Sequence, residues 1–175
     1  YIQEMWNLNS KTGLSTGIRV SHYDSKEKLF FEPRFSLKYK MQSFLSLECS
    51  VDKHHQFIHK IVSNKTDTRG TQNMWIFSSR DIPEISSINS HLGLTFDNES
   101  YSHSISVYSR SIDNLFQFDN SYKTAIINEN IVDEISIGSG ISNGLEVIIR
   151  KKTGLINGWF AYHYNKAKQR FSEIS

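Results

Sequence analysis

The stretch KHHQFIH brings His54, His55 and His59 close together in the chain. Imidazoles at short spacing are a common way to hold a transition metal, so ligation of a metal or a chelate is the first chemistry to weigh. On an extended strand His55 and His59 share a face but stand about 13 Å apart, too far for one ion, and His54 points the other way. Ligation therefore requires the segment to bend; the plainer reading is polar residues at the rim of a barrel. Glu32 and Arg34, two positions apart, share a face as well. They either contact a substrate or belong to a ladder of ion pairs with neighbouring strands, and the ladder is the simpler role. Trp75 with Phe77 offers a stacking surface for a sugar or an aromatic chelate, against the alternative that these rings pack the loop that holds them. GSGISNG (Gly138 to Gly144) is glycine-rich, but no Lys-Ser/Thr follows it and no helix opens there, so it is not a P-loop. Its glycines suit a face that another backbone approaches closely. No Ser-His-Asp set and no carboxylate pair has a spacing suited to catalysis. Neither an enzyme nor a bound cofactor or metal is expected.

The elements that would position these residues repeat with period two. KLFFEPRFSLKYKM (Lys28 to Met41) puts Leu29, Phe31, Pro33, Phe35, Leu37, Tyr39 and Met41 on one side. Phe30, Glu32, Arg34, Ser36, Lys38 and Lys40 take the other. At about 3.3 Å per residue this run extends roughly 43 Å, and a tilt near 45° projects that to about 30 Å, the thickness of a bilayer's hydrocarbon core. The same alternation predicts eight strands. They lie near 1–8, 14–23, 29–41, 45–52, 90–96, 101–118, 145–150 and 159–171, with Cys49 on the apolar set. Tight turns follow the first, third, fifth and seventh strands. Long polar stretches, about 63–87 and 119–133, follow the fourth and sixth, and DSKE after the second is short. Such alternation of short turns and long loops is a habit of outer-membrane barrels. Aromatics near the predicted strand ends (Tyr23, Phe30, Tyr39, Tyr101, Phe116, Phe118, Trp159, Tyr164) suit an interfacial girdle.

Composition sets the outer limits. The 175 residues fall within the range of one domain, and 20 Lys+Arg against 18 Asp+Glu leave a formal charge of +2, too balanced for a nucleic-acid surface. No run of about eighteen apolar residues occurs, which excludes a transmembrane helix but not a membrane barrel, whose strands are half polar. The single cysteine excludes an internal disulfide. A soluble β-sandwich shares the apolar/polar alternation and remains the competing fold, though its strands would be shorter.

Six segments, in order along nearly the whole chain, resemble the barrel of a TonB-dependent outer-membrane receptor of the Bacteroidetes type. GIRVSHY (Gly17 to Tyr23) is similar to that family's Gly-x-Arg-x-Ser-x-Tyr strand, and FEPRFSLKYKM (Phe31 to Met41) to its Glu-Pro-Arg-x-Ser-x-x-Tyr strand. HQFIH (His55 to His59) resembles its Gln-aromatic-x-His segment, and MWIFSSRDIPEIS (Met74 to Ser86) its Trp-x-x-Ser-Ser-x-x-x-Pro loop. VYSRSIDNLFQF (Val107 to Phe118) and SNGLEVIIRKKTGLINGWFAYHYNKAKQRF (Ser142 to Phe171) resemble two further strand motifs.

The resemblance implies an all-β, antiparallel, up-and-down transmembrane barrel segment. All 175 residues would be about eight strands of a larger barrel of some twenty-two. It implies energised uptake of a scarce bulky nutrient: an iron chelate, a cobalamin-like compound or an oligosaccharide. The implied partners are a plug domain of the same protein and, through its N-terminal part, the TonB-ExbB-ExbD energy-coupling complex. Plug, TonB box and closing strands are absent from this sequence, and with both ends placed on the outer side the chain reads as a fragment. A lumen face would carry Arg19, Glu32, Arg34, Lys38, Glu48, Tyr108, Arg110, Glu146 and Arg150; ligand candidates in the extracellular loop are His59, Trp75 and Phe77. A complete eight-stranded outer-membrane barrel and a soluble binding or adhesion sandwich are the alternatives.

Overall fold

A computed structural model describes residues 1–62, 73–118 and 135–171. The chain is all-β, and among the described residues its only helical turn is a short 3-10 turn at Asp24–Lys26. The strands are β1 Ile2–Asn7, β2 Thr12–Tyr23, β3 Lys28–Gln42, β4 Leu45–Gln56, β5 Ile58–Val62, β6 Asn73–Phe77, β7 Ile85–Asp97, β8 Tyr101–Phe118, β9 Ile135–Lys151 and β10 Gly158–Phe171. Eight of them form one antiparallel sheet in the order β1-β2-β3-β4-β7-β8-β9-β10, while β5 and β6 form a two-stranded hairpin of their own. The sheet is open, since β1 and β10 do not pair with each other.

The eight strands expected from the alternation are therefore present, in sequence order. The stretch 63–87 is corrected: Asn73–Phe77 is strand β6, paired back on β5, and β7 already begins at Ile85. The expected loop 119–133 lies outside the described residues.

Local chemistry explains the tight turns. Asn9 closes the first by accepting the amides of Lys11 and Thr12 on Oδ1, both at 2.8 Å. Asn98 does the same for Ser100 and Tyr101 at 2.9 and 2.7 Å, a side chain standing in for a backbone acceptor. Gly154, at φ +110, supplies the left-handed residue in the turn from β9 to β10.

Register separates the two faces. One row runs Leu14, Leu37, Cys49, Leu92, Val107, Leu145, Tyr164 from β2 to β10, and the next runs Tyr39, Leu47, Leu94, Ile105, Val147, Tyr162. Nothing described in this chain covers that face: Phe31, Phe35, Val51, Leu92, Val107, Ile149 and Phe160 are all exposed. The edge strand β1 departs from the pattern, with Glu4 paired to Thr16 on the apolar face and Met5 on the polar one.

The apolar band runs obliquely across the strands. Toward the hairpin end it stops at Val20 on β2 and at Leu29 on β3, then at Val51 on β4. It stops lower still at the row of Leu92, Val107, Leu145 and Tyr164. Beyond it lie Lys53, Ser90, Ser109, Asn143 and Lys166, with Ile88 and Ile141 as isolated apolar residues further on. The four tight turns drift in the same sense, each lying further along the register than the one before.

The interior is at the other end. Among the described residues the buried side chains are Phe30, Ile76, Glu32, His59 and Ser78, all in a cap formed by the ends of β2, β3 and β4, the hairpin and the segment 78–84. Three aromatics expected in the girdle belong to this cap instead. Tyr23 stacks on Phe57, Phe30 meets Phe57 edge-on, and Phe116 lies against His59. Tyr39, Tyr101 and Tyr164 do stand exposed on the apolar side, whereas Trp159 pairs with Arg150 on the polar face.

Candidate functional site

The polar face is held by cross-strand contacts. Arg19 is opposite Glu32, with Nε 3.5 Å from Oε2. Arg34, Asp52, Asn89, Arg110 and Ser142 share one row. Arg110 Nε donates to Asn89 Oδ1 at 2.7 Å, and Asn89 Nδ2 donates to Asp52 Oδ1 at 2.7 Å. His54 Nε2 completes this chain against Asp52. Arg34 instead lays its guanidinium over the Tyr1 ring, 5.8 Å from the centroid. In the next rows Lys38 faces Glu48, and Glu146 faces His163 at 3.8 Å. Tyr108 lies directly across from Gly144, and its hydroxyl meets His163 Nε2 at 2.9 Å and accepts from Asn165 Nδ2 at 2.8 Å. The same amide donates to Ser142 Oγ at 2.8 Å. Arg19, Glu32, Arg34, Lys38, Glu48, Tyr108, Arg110, Glu146 and Arg150 thus all fall on one face in the register, as the alternation requires.

Glu32 is the exception in its surroundings. The β3–β4 ladder stops at Arg34 and Asp52 although both strands continue. The Glu32 carboxylate enters the gap and accepts the His55 backbone N–H on Oε1 at 2.7 Å. Only 2% of Glu32 is exposed, so it replaces a missing ladder acceptor rather than presenting itself to a ligand.

The histidines are separated by their partners. The chain breaks from strand at Phe57, the bend that ligation needed, yet His54 goes to Asp52, His55 to Glu32 and His59 to Ser78. Among the described residues no group of three or more His, Cys, Asp or Glu side chains could hold a metal ion. His59, expected at an exposed rim, is 3% exposed. Its Nε2 is 3.1 Å from Ser78 Oγ, and that hydroxyl donates to the Pro83 carbonyl at 3.4 Å. The hydroxyl proton is thereby used, which makes Nε2 the donor and leaves Nδ1 a buried acceptor with no partner. Burial, and next the nearby Lys26 ammonium, hold the His59 pKa below its usual value. A Ser–His contact of this kind is not arranged for attack: Nδ1 has no orienting carboxylate and the hydroxyl is only 1% exposed as part of Ser78.

The same cap carries two more cross-links. Tyr23 Oη donates to the Ser78 carbonyl at 2.9 Å, and Lys26 Nζ meets Glu84 Oε2 at 2.7 Å. Burial pushes the Glu84 carboxyl up, but hydrogen bonds from Lys26 and its own backbone, with the charges of Lys26 and Lys28, bring it below the ordinary carboxylate value. Trp75 and Phe77, expected in a loop, lie on β6, where they form an exposed face with Ile58 and Lys60. His59 and Ile76 occupy the opposite, buried face of that hairpin. Ile76 falls in the stretch expected to be a polar loop and His59 reads as a rim residue, so their pairing is not expected; the alternation of Ile58, Lys60 against His59, and of Trp75, Phe77 against Ile76, is the available signal.

The fold and this face define a class: an open antiparallel sheet, apolar on one side and polar on the other. No family model matches the chain, and no curated protein matches its sequence.

Proposed function

We propose that this chain is part of the wall of a TonB-dependent barrel in a bacterial outer membrane, working in energised uptake of a scarce, bulky nutrient. The observation that carries the reading is the apolar face, which nothing described in the chain covers, on strands long enough to cross a bilayer. A strand such as β3, with 15 residues, extends about 50 Å, or roughly 35 Å when tilted near 45°. The slant of the apolar band across the register is what tilted strands in a flat membrane produce, since a horizontal slab cuts successive strands at shifted positions. A soluble protein with this much contiguous apolar surface would associate or aggregate. The six family-like segments point to the same class, and the unpaired edges of β1 and β10 call for further strands on both sides. On this reading the polar face lines the lumen beside a plug domain, and the hairpin cap sits outside the cell. The open edges disfavour a closed eight-stranded barrel, and a single sheet layer disfavours a sandwich.

The test is fractionation of cells of the source organism, probed with an antibody to the segment 69–81. A band in the outer membrane several times larger than 20.3 kDa is expected. A band near 20 kDa in that membrane would mean a complete small barrel, and one in the soluble fraction would remove the membrane reading.

A further inference from the structure

We propose that the buried chain His59–Ser78–Pro83 is an acid-sensitive latch. It holds the β5/β6 hairpin on the sheet while the imidazole is neutral and releases it when the imidazole takes up a proton. The inference rests on the cap alone and stands whether or not the sheet spans a membrane. His59 is a buried polar contact of the hairpin with its base: 3% exposed, with Nε2 on Ser78 and its ring 4.7 Å from that of Phe116 on β8. Its second nitrogen, Nδ1, is buried without an acceptor, so a proton added there has nowhere to donate.

The charged groups around it deepen the effect. From the turn at 24–26 comes Lys26, a cation already matched to Glu84 at 2.7 Å, so among the described residues that carboxylate is not free for an imidazolium. From β2 comes the Tyr23 hydroxyl, spent on the Ser78 carbonyl, and from β8 come Phe116 and the Asn114 amide, which donates to the Glu84 carbonyl at 2.8 Å. Arg80 and Asp81 of the intervening segment are exposed. On the β4 side the His55–Glu32 pair is a separate unit, packed with Phe30 against Phe57.

The sign follows from burial. A histidine that resists protonation when closed stabilises the closed hairpin above its open-state pKa, about 6.5, and loses that advantage as pH falls below it. Glu84 acts in another window, below about pH 4.5, so the two do not overlap.

Hydrogen exchange on the full-length protein tests the latch, following the amides of Ile58–Val62 and Asn73–Phe77 after correction for intrinsic exchange rates. Between about pH 7.5 and 5.5 the opening equilibrium of the hairpin should rise by up to about tenfold, while β9 and β10 stay unchanged. His59→Gln, whose amide still donates to Ser78 and does not titrate, should abolish the rise. A rise of equal size in His59→Gln, or none in the wild type, overturns the proposal. Should His59→Gln fail to close, Ser78→Ala decides: it should raise opening at both pH values and keep the pH dependence, and no effect at pH 7.5 overturns the latch.

Discussion

The cap and the sheet are held together by different physics. In the cap, rings and polar side chains from strands distant in sequence close around one another, and Phe30, Ile76, Glu32, His59 and Ser78 are sealed from solvent. In the sheet, the backbone ladder and cross-strand polar pairs do the work, and the large apolar side chains point away from everything else in the chain. A water-soluble fold hides its apolar surface first. Here the apolar side chains are spent outward along eight strands and inward only at one end. On the proposed reading, hydrophobic stabilisation of the sheet comes from a surrounding phase, whereas that of the cap is internal.

The adjacent residues Phe30 and Phe31 break or sharpen this contrast most strongly. Phe30 is 3% exposed and packs against His55 and Phe57, while Phe31, on the opposite face, is 54% exposed. Phe30→Ala should cost the cap about 3–5 kcal/mol, the usual loss for an aromatic removed from an interior. Phe31→Ala should leave the cap unchanged. The readout is the exchange protection of β5 and β6 in each variant. Equal losses at the two positions would mean that the faces do not differ as described.

Val147 and Glu146 pose the same question for the sheet. Val147 lies in the apolar row between Ile105 and Tyr162, and Glu146 faces His163 on the polar side. In a bilayer Val147→Arg should cost about 2–4 kcal/mol and reduce the amount of assembled protein, and Glu146→Gln should leave assembly intact. Heat-modifiable mobility on gels and yield in the membrane fraction measure both. Equal tolerance of the two changes would sink the assignment of inside and outside.

The contrast also separates what the sequence discloses from what it conceals. The eight strands of the sheet, their order and the two faces were legible because period two is a local property, written in runs such as Leu29 to Met41. Alternation fixed the common face of Arg19, Arg34, Arg110 and Glu146 for the same reason. The cap was not legible. Whether Glu32 lies open on a face or fills the gap where a ladder stops depends on β4 leaving β3 after Asp52, which no local pattern records. His59 looked like a rim residue because its partners, Ser78 and Phe116, lie far along the chain. The bulge at Asn114, at φ 60, is a third case, since it appears only once β8 is paired with β9. Polar burial is a tertiary fact, and the sequence errors fall where tertiary contact decides.

The smallest effect belongs to a detail that is partly legible, the glycines between Gly138 and Gly144. A face approached by another backbone was the expectation, and at Gly138 the backbone of Arg170 is indeed the nearest neighbour. At Gly144 the neighbour is instead the Tyr108 ring, lying across the position a Cβ would take. The glycine lets that ring lie flat over the strand and puts its hydroxyl on His163 and Asn165. Gly144→Ala should displace the ring and cost about 1–3 kcal/mol, as overpacking does. Because the ring swings from one end, the cost should fall toward the lower limit, with the loss of the two hydroxyl contacts as its main part. Tyr108→Phe keeps the ring and removes only those contacts. If the hydroxyl contacts carry the effect, Gly144→Ala placed in a Tyr108→Phe background should lose stability by much less than in the wild type. Full additivity of the two changes would show that the ring's fit over Gly144, and not its hydrogen bonds, is what holds β8 to β9 at this point.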